Sequence, residues 1–284
     1  MQIKLAKEYG FCFGVKRALE MVETVLKQNN EGCPVYSIGP IIHNPQVVEK
    51  LKNKGVKIVA GVEDMQDNGI FVIRSHGITP KQLENAKRKG LTIIDATCPF
   101  VKHAQDICSL LKNEGYNIII IGEKEHPEVR ALIGFAGEDS SVVKDIADLE
   151  KINRKKKTGI LSQTTQQRSN VVSIIENIEW YNKFQEMRIF DTICEATSRR
   201  QAAALKLSKE VDIMLVIGGY NSSNTKKLAE LAENTGVETH HIESNKDLKK
   251  EWFLEKNIIG VTAGASTPDW IITEIINNIK AFKA

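Results

Sequence analysis

Residues 91–104 read Leu-Thr-Ile-Ile-Asp-Ala-Thr-Cys-Pro-Phe-Val-Lys-His-Ala, and this stretch decides the fold. A short apolar run typical of a strand ends in a polar turn with a cysteine, and a run of helical period follows. Similar junctions occur around Cys12 and Cys194, so that 86 and then 96 residues separate the three cysteines. Repetition at nearly constant spacing indicates three copies of one structural unit.

Each copy contains two further strand-like runs that end in polar side chains. The first run ends near His43, His126 and Ser222, which lie 31, 28 and 28 residues after the cysteine of their copy. The second ends in Arg74-Ser75-His76-Gly77, Ser162-Gln163-Thr164-Thr165 or Thr262-Ala263-Gly264-Ala265-Ser266. Ligands of parallel α/β sheets bind beyond the carboxyl ends of strands, so we predict that thiols and polar groups share one pocket.

Helical and strand periods alternate along the whole chain. The predicted helices lie near residues 14–29, 45–54, 79–89, 100–114, 127–136, 167–181, 196–210, 224–235 and 268–282. This alternation predicts an α/β fold of three pseudo-repeated units with mostly parallel sheets. We expect the units at 14–97, 98–193 and 194–284, and we expect residues 1–13 to supply a strand, Gln2 to Lys7, that completes the sheet of the third unit.

Composition places the chain among globular proteins with a large core. It has 284 residues, 42% of them hydrophobic, and 39 basic against 36 acidic residues give a net charge of only +3, which offers no nucleic-acid footprint. There is no signal-peptide pattern and no apolar run near 18 residues, so we expect a soluble cytoplasmic protein without a membrane partner. Five cysteines in a reducing compartment favour metal binding or catalysis over disulfides.

Cys12, Cys98 and Cys194 are the candidate metal ligands, because a thiol recurs at the same junction three times. Cys108 lies on or beside the apolar face of a predicted helix and is interpreted as a small core residue. Cys33 lies in a turn without a counterpart in the other copies. Zinc would need a fourth ligand, which His43, His76 or His126 could supply, but no Cys-x-x-Cys knuckle is present.

An iron-sulfur centre is the alternative to zinc. A 4Fe-4S cluster normally takes four cysteines, so three would leave one iron open to bind and reduce a substrate. Three hypotheses therefore stay open from the residues: a reductive iron-sulfur enzyme, a zinc-dependent diphosphate hydrolase and a non-enzymatic iron-sulfur redox sensor.

The polar strand ends favour an oxyanion such as phosphate or diphosphate. They are rich in small donors beside glycines, and helices predicted to start near 45, 127, 224 and 268 aim their N-termini at them. The candidate donors are His43, His76, His126, Thr164, Ser222, Ser223, Asn224 and Ser266. The remaining histidines, His103, His240 and His241, lie away from the repeated strand ends and are expected to be bystanders.

Glu128 is the candidate proton source. It is the one carboxylate directly beside a polar cluster, in His126-Pro127-Glu128 at a predicted helix start. An acid in the first turn can also serve only to complement the helix dipole. Glu195, directly after Cys194, is the rival candidate.

The motifs of this chain resemble those of the 4-hydroxy-3-methylbut-2-enyl diphosphate reductase family, in order and over the whole length. They are Gly10-Phe11-Cys12-Phe13-Gly14-Val15, His43-Asn44-Pro45, Arg74-Ser75-His76-Gly77, Asp95-Ala96-Thr97-Cys98-Pro99, His126-Pro127-Glu128, Gln163-Thr164-Thr165, Asn221-Ser222-Ser223-Asn224 and Thr262-Ala263-Gly264-Ala265-Ser266-Thr267-Pro268. The resemblance implies a trefoil of three α/β units around a central 4Fe-4S cluster, and reductive removal of an allylic hydroxyl that yields isopentenyl and dimethylallyl diphosphates. It also implies an external electron donor such as ferredoxin or flavodoxin.

The resemblance further implies roles for single residues. Cys12, Cys98 and Cys194 would bind the cluster, and Glu128 would donate a proton through Thr164 with help from His126. The diphosphate would be held by His43, His76, His126, Thr164, Ser222, Ser223, Asn224 and Ser266. Two positions depart from the family pattern: Phe13, where many members have Ala, and Tyr220, where many have a basic residue.

Overall fold

The structure, a computed structural model, describes residues 1–29, 32–152, 156–181 and 184–282. The strands in these ranges are β1 (Gln2–Leu5), β2 (Val35–Ile38), β3 (Val56–Val59), β4 (Ile70–Ile73), β5 (Thr92–Asp95), β6 (Asn117–Ile121), β7 (Ser141–Val143), β8 (Lys157–Ser162), β9 (Glu186–Ile189), β10 (Ile213–Ile217), β11 (Glu238–Ile242) and β12 (Ile258–Ala263). The helices are α1 (Phe13–Gln28), α2 (Pro45–Asn53), α3 (Pro80–Arg88), α4 (Pro99–Asn113), α5 (Pro127–Ala136), α6 (Arg168–Tyr181), α7 (Glu195–Ser208), α8 (Ser223–Glu233) and α9 (Asp269–Ala281). Every predicted helix is present, and the predicted α/β class is confirmed.

The strands form three four-stranded sheets with the same internal order. These are β3-β2-β4-β5, β7-β6-β8-β9 and β11-β10-β12-β1, and all described pairings are parallel. In the third sheet β1 takes the place that β5 and β9 have in the others, and it pairs with β12 from Gln2 to Leu5. The three-fold repeat that the cysteine spacing predicts is therefore present in the sheet order.

The second sheet shows why a continuous apolar run becomes a central strand. Ile118 and Ile120 pack against the helices α4 and α5, whereas Ile119 and Ile121 pack on the other face in a cluster with α6. All four side chains are buried, and burial of each contributes about 1.5–3 kcal/mol. Because both faces of the sheet are covered, the strand needs no polar alternation.

The chain divides into two compact units. The terminal unit comprises residues 1–15, 42–47 and 195–284 and contains the third sheet, and the central unit comprises residues 16–41 and 48–194 and contains the first and second sheets. The predicted repeat boundaries at 13, 97 and 193 stay predictions. Within the described ranges, none of the helices combines the length and hydrophobicity that a bilayer span requires.

Candidate active site

The three repeated cysteines occupy one structural position, directly before α1, α4 and α7. The backbone N–H groups of Cys12, Cys98 and Cys194 donate to the carbonyl oxygens of Ala265 (3.1 Å), Ser75 (3.0 Å) and Thr164 (3.0 Å), respectively. Each acceptor lies two residues beyond the last residue of β12, β4 or β8. One repeated backbone contact therefore places each thiol at the carboxyl end of a sheet, where all three are half-buried and outside disulfides.

The contacts of the other two cysteines are typical of residues with a structural role. Cys108 is fully buried in the core between α4 and the second sheet, and burial raises the pKa of its thiol to about 12. A thiol with that pKa stays protonated and is a poor metal ligand. Cys33 lies just before β2, where its N–H donates to Oδ1 of Asn29 at 3.0 Å and its carbonyl accepts from Nδ2 at 2.7 Å.

Glu128 is the second residue of α5 and is 1% exposed. Its Oε1 accepts from the backbone N–H of Thr164 at 2.6 Å, and its Oε2 accepts from the Thr164 hydroxyl at 2.9 Å. Burial raises the pKa of the carboxyl to about 7, although the two hydrogen bonds from Thr164 act in the opposite direction. A carboxyl group with this pKa can hold and release a proton near neutral pH.

Two histidines accompany Glu128 in the central unit. His126 is 8% exposed and caps α5, and its Nδ1 accepts from the backbone N–H of Glu128 at 3.2 Å. That acceptor role leaves Nε2–H as the donor of the neutral ring. The ring of His76 meets the His126 ring edge-on, with centroids 5.4 Å apart. Thr164 links this group to a thiol, because its hydroxyl binds Glu128 and its carbonyl binds Cys194.

Glu195, the rival carboxylate, has a different environment. It is exposed at the first residue of α7, and its Oε1 accepts from Nε of Arg199 at 3.0 Å. Side chains of 67% and 58% relative exposure form this ion pair, so it is well solvated. Glu195 is thus exposed and ion-paired, whereas Glu128 is buried and has a raised pKa.

The terminal unit gathers the polar donors of the third repeat. Ser222 caps α8, since its Oγ accepts from the N–H of Thr225 at 3.3 Å, and it is buried together with Ser223 and Asn224. In the part of the chain that the structure describes, neither amide atom of Asn224 has a hydrogen-bond partner. Buried polar groups are almost always paired, so an unpaired amide indicates a position that a ligand completes.

His43 and Ser266 belong to the same unit. The Ser266 hydroxyl donates to the carbonyl oxygen of His43 at 2.9 Å. Gly219 packs against that carbonyl so closely that a Cβ at this position would lie 2.7 Å from its oxygen, so a larger residue would displace the loop. This loop precedes Ser222, and its backbone thus fixes His43 relative to the donors of α8.

The predicted site residues fall into two groups, one in each compact unit. The terminal unit carries Cys12, His43, Ser222, Ser223, Asn224 and Ser266. The central unit carries His76, Cys98, His126, Glu128, Thr164 and Cys194. That the two groups serve one reaction stays a prediction.

The histidines predicted to be bystanders either are exposed to solvent or contact residues of their own surroundings in the fold. His103 is exposed, and His240 stacks on Trp252 with ring centroids 3.7 Å apart. His241 is partly buried, which lowers its pKa, and its Nε2 donates to the carbonyl of Gly218 at 2.9 Å. Tyr220, one of the two departures from the family pattern, is 42% exposed and lies edge-on to His241.

Two arginines that support the thiol loops were missed. Arg200 donates to the carbonyl of Gly10, and Arg17 donates to the carbonyl of Thr97. The sequence contained a signal for them, a basic residue at a similar distance after each repeated cysteine. Five or six residues separate the cysteine from Arg17, His103 and Arg200.

Comparison with known proteins extends over the whole chain. The family model of the LytB protein matches residues 3–280. A protein from Syntrophotalea carbinolica is 45% identical over 280 residues, which cover 98% of both chains, and one from Campylobacter hominis has the same identity and coverage. Both are named 4-hydroxy-3-methylbut-2-enyl diphosphate reductase.

Two solved structures agree with the fold. The E-1-hydroxy-2-methyl-but-2-enyl-4-diphosphate reductase from Plasmodium falciparum is 32% identical with a TM-score of 0.91, covering 98% of this chain and 87% of its own. A structure described as (E)-4-hydroxy-3-methyl-but-2-enyl diphosphate reductase, the terminal enzyme of the non-mevalonate pathway, is 41% identical with a TM-score of 0.71, covering 99% of each chain.

Sheet order and relatives together define this protein as an oxidoreductase built from three α/β repeats. Within that class, the chain belongs to the LytB protein family. The predicted family and enzyme class are both confirmed.

Proposed function

We propose that this chain reduces 4-hydroxy-3-methylbut-2-enyl diphosphate to isopentenyl and dimethylallyl diphosphates in isoprenoid biosynthesis. The observation that carries the proposal is the thiol at one repeated junction in all three α/β repeats. The names of the relatives support the same reaction.

Cys12, Cys98 and Cys194 are suited to hold one 4Fe-4S cluster. Thiolates are the soft ligands that iron-sulfur clusters take, and the three cysteines are half-buried at the carboxyl ends of their sheets. Three protein ligands would leave one iron of such a cluster open. When bound, such a cluster supplies a Lewis-acidic iron for the substrate hydroxyl and a path for electrons.

The donors for the diphosphate are polar groups at the strand ends and helix starts of the repeats. Asn224 provides a buried amide that lacks a protein partner among the described residues, beside Ser222 and Ser223 at the N-terminus of α8. A helix N-terminus favours an anion through its free N–H groups and its dipole. The remaining donors are His43, His76, His126, Thr164 and Ser266.

Glu128 provides a proton to the departing oxygen. The reaction consumes two electrons and two protons, breaks the allylic C–O bond and releases water. Thr164 passes the proton from Glu128, because its hydroxyl lies 2.9 Å from Oε2 and can rotate toward a bound substrate. His126 assists by presenting Nε2–H while its Nδ1 binds the backbone of Glu128.

The electrons come from outside the chain, from a small redox protein such as ferredoxin or flavodoxin. We place the reaction in the cytoplasm, because all five cysteines are free thiols and a reducing compartment keeps them so.

Anaerobic purification followed by a visible spectrum, iron and sulfide analysis and turnover tests the proposal. We expect a brown protein with about four irons per chain that converts the substrate. Cys12→Ser, Cys98→Ser and Cys194→Ser should each lose cluster and turnover, whereas Cys33→Ser and Cys108→Ala should keep both. A colourless zinc protein would instead indicate a hydrolase, and a brown protein without turnover or affinity for diphosphate would indicate a redox sensor.

A further inference from the structure

Arg200 is a buried arginine, and its charge has no acidic partner among the residues that the structure describes. It lies on α7, six residues after Cys194, and is 4% exposed. Its Nε and Nη2 donate to the carbonyl oxygen of Gly10 at 3.2 and 2.8 Å, and its Nη1 donates to that of Ala196 at 2.9 Å. Among the described residues, its hydrogen bonds go only to carbonyl oxygens.

A buried charge of this kind is costly unless an anion balances it. The carboxylate of Asp269 lies beside Gly10, but Asp269 is exposed at the start of α9, and within the described ranges it forms no ion pair or hydrogen bond with Arg200. An anion that the protein binds would balance the charge. Arg200 contacts Gly10, which precedes the proposed cluster ligand Cys12 by two residues, so the position of Arg200 indicates an anion bound at Cys12.

The turn that Arg200 contacts has little freedom. Gly10 has a φ of +71°, and a Cβ there would lie 3.3 Å from both Oδ1 of Asp269 and Cδ1 of Ile272. The carbonyl of Gly10 accepts a hydrogen bond from Arg200. Two residues later in the chain, the N–H of Cys12 donates to the carbonyl of Ala265. The Cys12 loop is therefore held from two sides within the terminal unit.

A similar contact between an arginine and a cysteine loop occurs in the central unit. Arg17 follows Cys12 by five residues, and its Nη1 donates at 3.0 Å to the carbonyl of Thr97, the residue before Cys98. Its Nη2 lies 3.4 Å from the carbonyl of Asp95. In both cases, an arginine on the helix after one cysteine contacts the loop before another cysteine.

We propose that Arg200 is a positioning residue for the Cys12 thiolate and that its buried charge favours reduction of the bound cluster. The inference rests on the proposed function, because the balancing anion is the cluster with its three thiolates. An added electron makes that anion more negative, so a buried positive charge close to it stabilises the reduced form.

Arg199 provides a matched control for the charge of Arg200. It is the neighbouring residue on α7, carries the same charge and forms a solvated ion pair with Glu195. Its removal should change little, because solvent and salt screen exposed charges.

The experiment compares Arg200→Gln, Arg200→Lys and Arg199→Gln as anaerobically prepared holoproteins. A redox titration gives the midpoint potential, and a chelator assay gives the rate of iron loss. Arg200→Gln should disfavour one-electron reduction by about tenfold, a shift of about 59 mV, and should lose iron faster than wild type. Arg200→Lys should keep the potential but still lose iron faster, since an ammonium lacks the planar fork that joins two carbonyls. Arg199→Gln should match wild type in both measurements.

A potential in Arg200→Gln that equals that of Arg199→Gln would overturn the role of the charge. Wild-type iron retention in Arg200→Lys would overturn the positioning role. If Arg200→Gln retains no cluster while Arg199→Gln does, the positioning role is supported, and the potential of Arg200→Lys then decides the role of the charge. Wild-type protein without a cluster would contradict the proposed function itself, whereas a wild-type cluster with Arg200 variants that behave like Arg199→Gln would contradict only this inference.

Discussion

Glu128 and Asn224 occupy the same place in two repeats and behave differently. Each follows its cysteine by thirty residues, is the second residue of a helix and is almost fully buried. Both oxygens of Glu128 accept hydrogen bonds from Thr164. The amide of Asn224, by contrast, has no hydrogen-bond partner in the described ranges.

The residue at the neighbouring strand end differs between the two repeats. Thr164 accepts the N–H of Cys194 through its carbonyl, and the residue that does the same for Cys12 is Ala265. Ala265 has no hydroxyl to offer Asn224. The same backbone frame thus produces a closed pair that can hold a proton in one repeat and an open amide for an anion in the other.

The largest expected effect comes from Glu128→Gln. Glutamine keeps the size and one acceptor oxygen for Thr164 but cannot deliver a proton. Turnover should fall by about 10²- to 10⁴-fold, as is typical when a general acid is lost, while cluster content and substrate affinity stay unchanged. Single-turnover kinetics and equilibrium binding measure the two quantities separately.

Glu195→Gln is the control, because it also removes one negative charge next to a proposed ligand. Its turnover should stay close to that of wild type. Equal losses in both variants, or loss of the cluster in Glu128→Gln, would contradict the proton-donor role. Glu128 would then serve only as a carboxylate at a helix start.

The same substitution should change the pH dependence of stability. Burial raises the pKa of Glu128 from 4.5 to about 7, so its favourable contribution is complete below pH 4.5 and is lost as pH rises through 7. Glutamine does not ionise. Urea unfolding should therefore show Glu128→Gln gaining about 3 kcal/mol relative to wild type between pH 4.5 and 8. A constant difference over that range would mean that Glu128 has an ordinary pKa.

Much of this fold was predictable from sequence, because long amphipathic helices and buried strands have clear periods. The repeat around the cysteines and the helix starts near Glu128 and Asn224 were correctly placed. The strands β7 and β11 were not predicted, since they are sheet edges with short or polar sequences, Ser-Val-Val and Glu-Thr-His-His-Ile. Edge strands need fewer apolar residues than central ones.

Residue patterns alone did not predict the contacts that distinguish the two repeats. The link between Glu128 and Thr164 was implied only by the family resemblance, because the patterns do not show where a strand end 36 residues away lies. The sequence likewise does not show that the Asn224 amide lacks a hydrogen-bond partner among the described residues. Patterns place side chains at a sheet end, but they do not say which hydrogen bonds are formed there.

Asn224→Ala should weaken substrate binding without the loss of proton delivery seen in Glu128→Gln. Removal of a hydrogen bond to a charged group costs about 1.5–3 kcal/mol, which corresponds to roughly 10- to 150-fold in the dissociation constant. Calorimetry with the diphosphate substrate measures this change. Unchanged affinity would show that the open amide is not a ligand position.

The smallest expected effect concerns the histidines. If His43 and His76 face a diphosphate, the anion favours their protonated forms, so affinity should weaken by a few-fold as pH rises from about 6 to about 8.5. His126 is expected to contribute less, because its Nδ1 already accepts from the Glu128 backbone. A dissociation constant that stays flat over this range would argue against charged histidines in the site.

The pH profile of the single-turnover rate tests the central claim most directly, in wild type, Glu128→Gln and Asn224→Ala at saturating substrate. We expect the wild-type rate to fall above an apparent pKa near 7, as Glu128 loses its proton. The same inflection should persist in Asn224→Ala and vanish in Glu128→Gln. An inflection near 7 that survives in Glu128→Gln would contradict the account, because another group would then supply the proton.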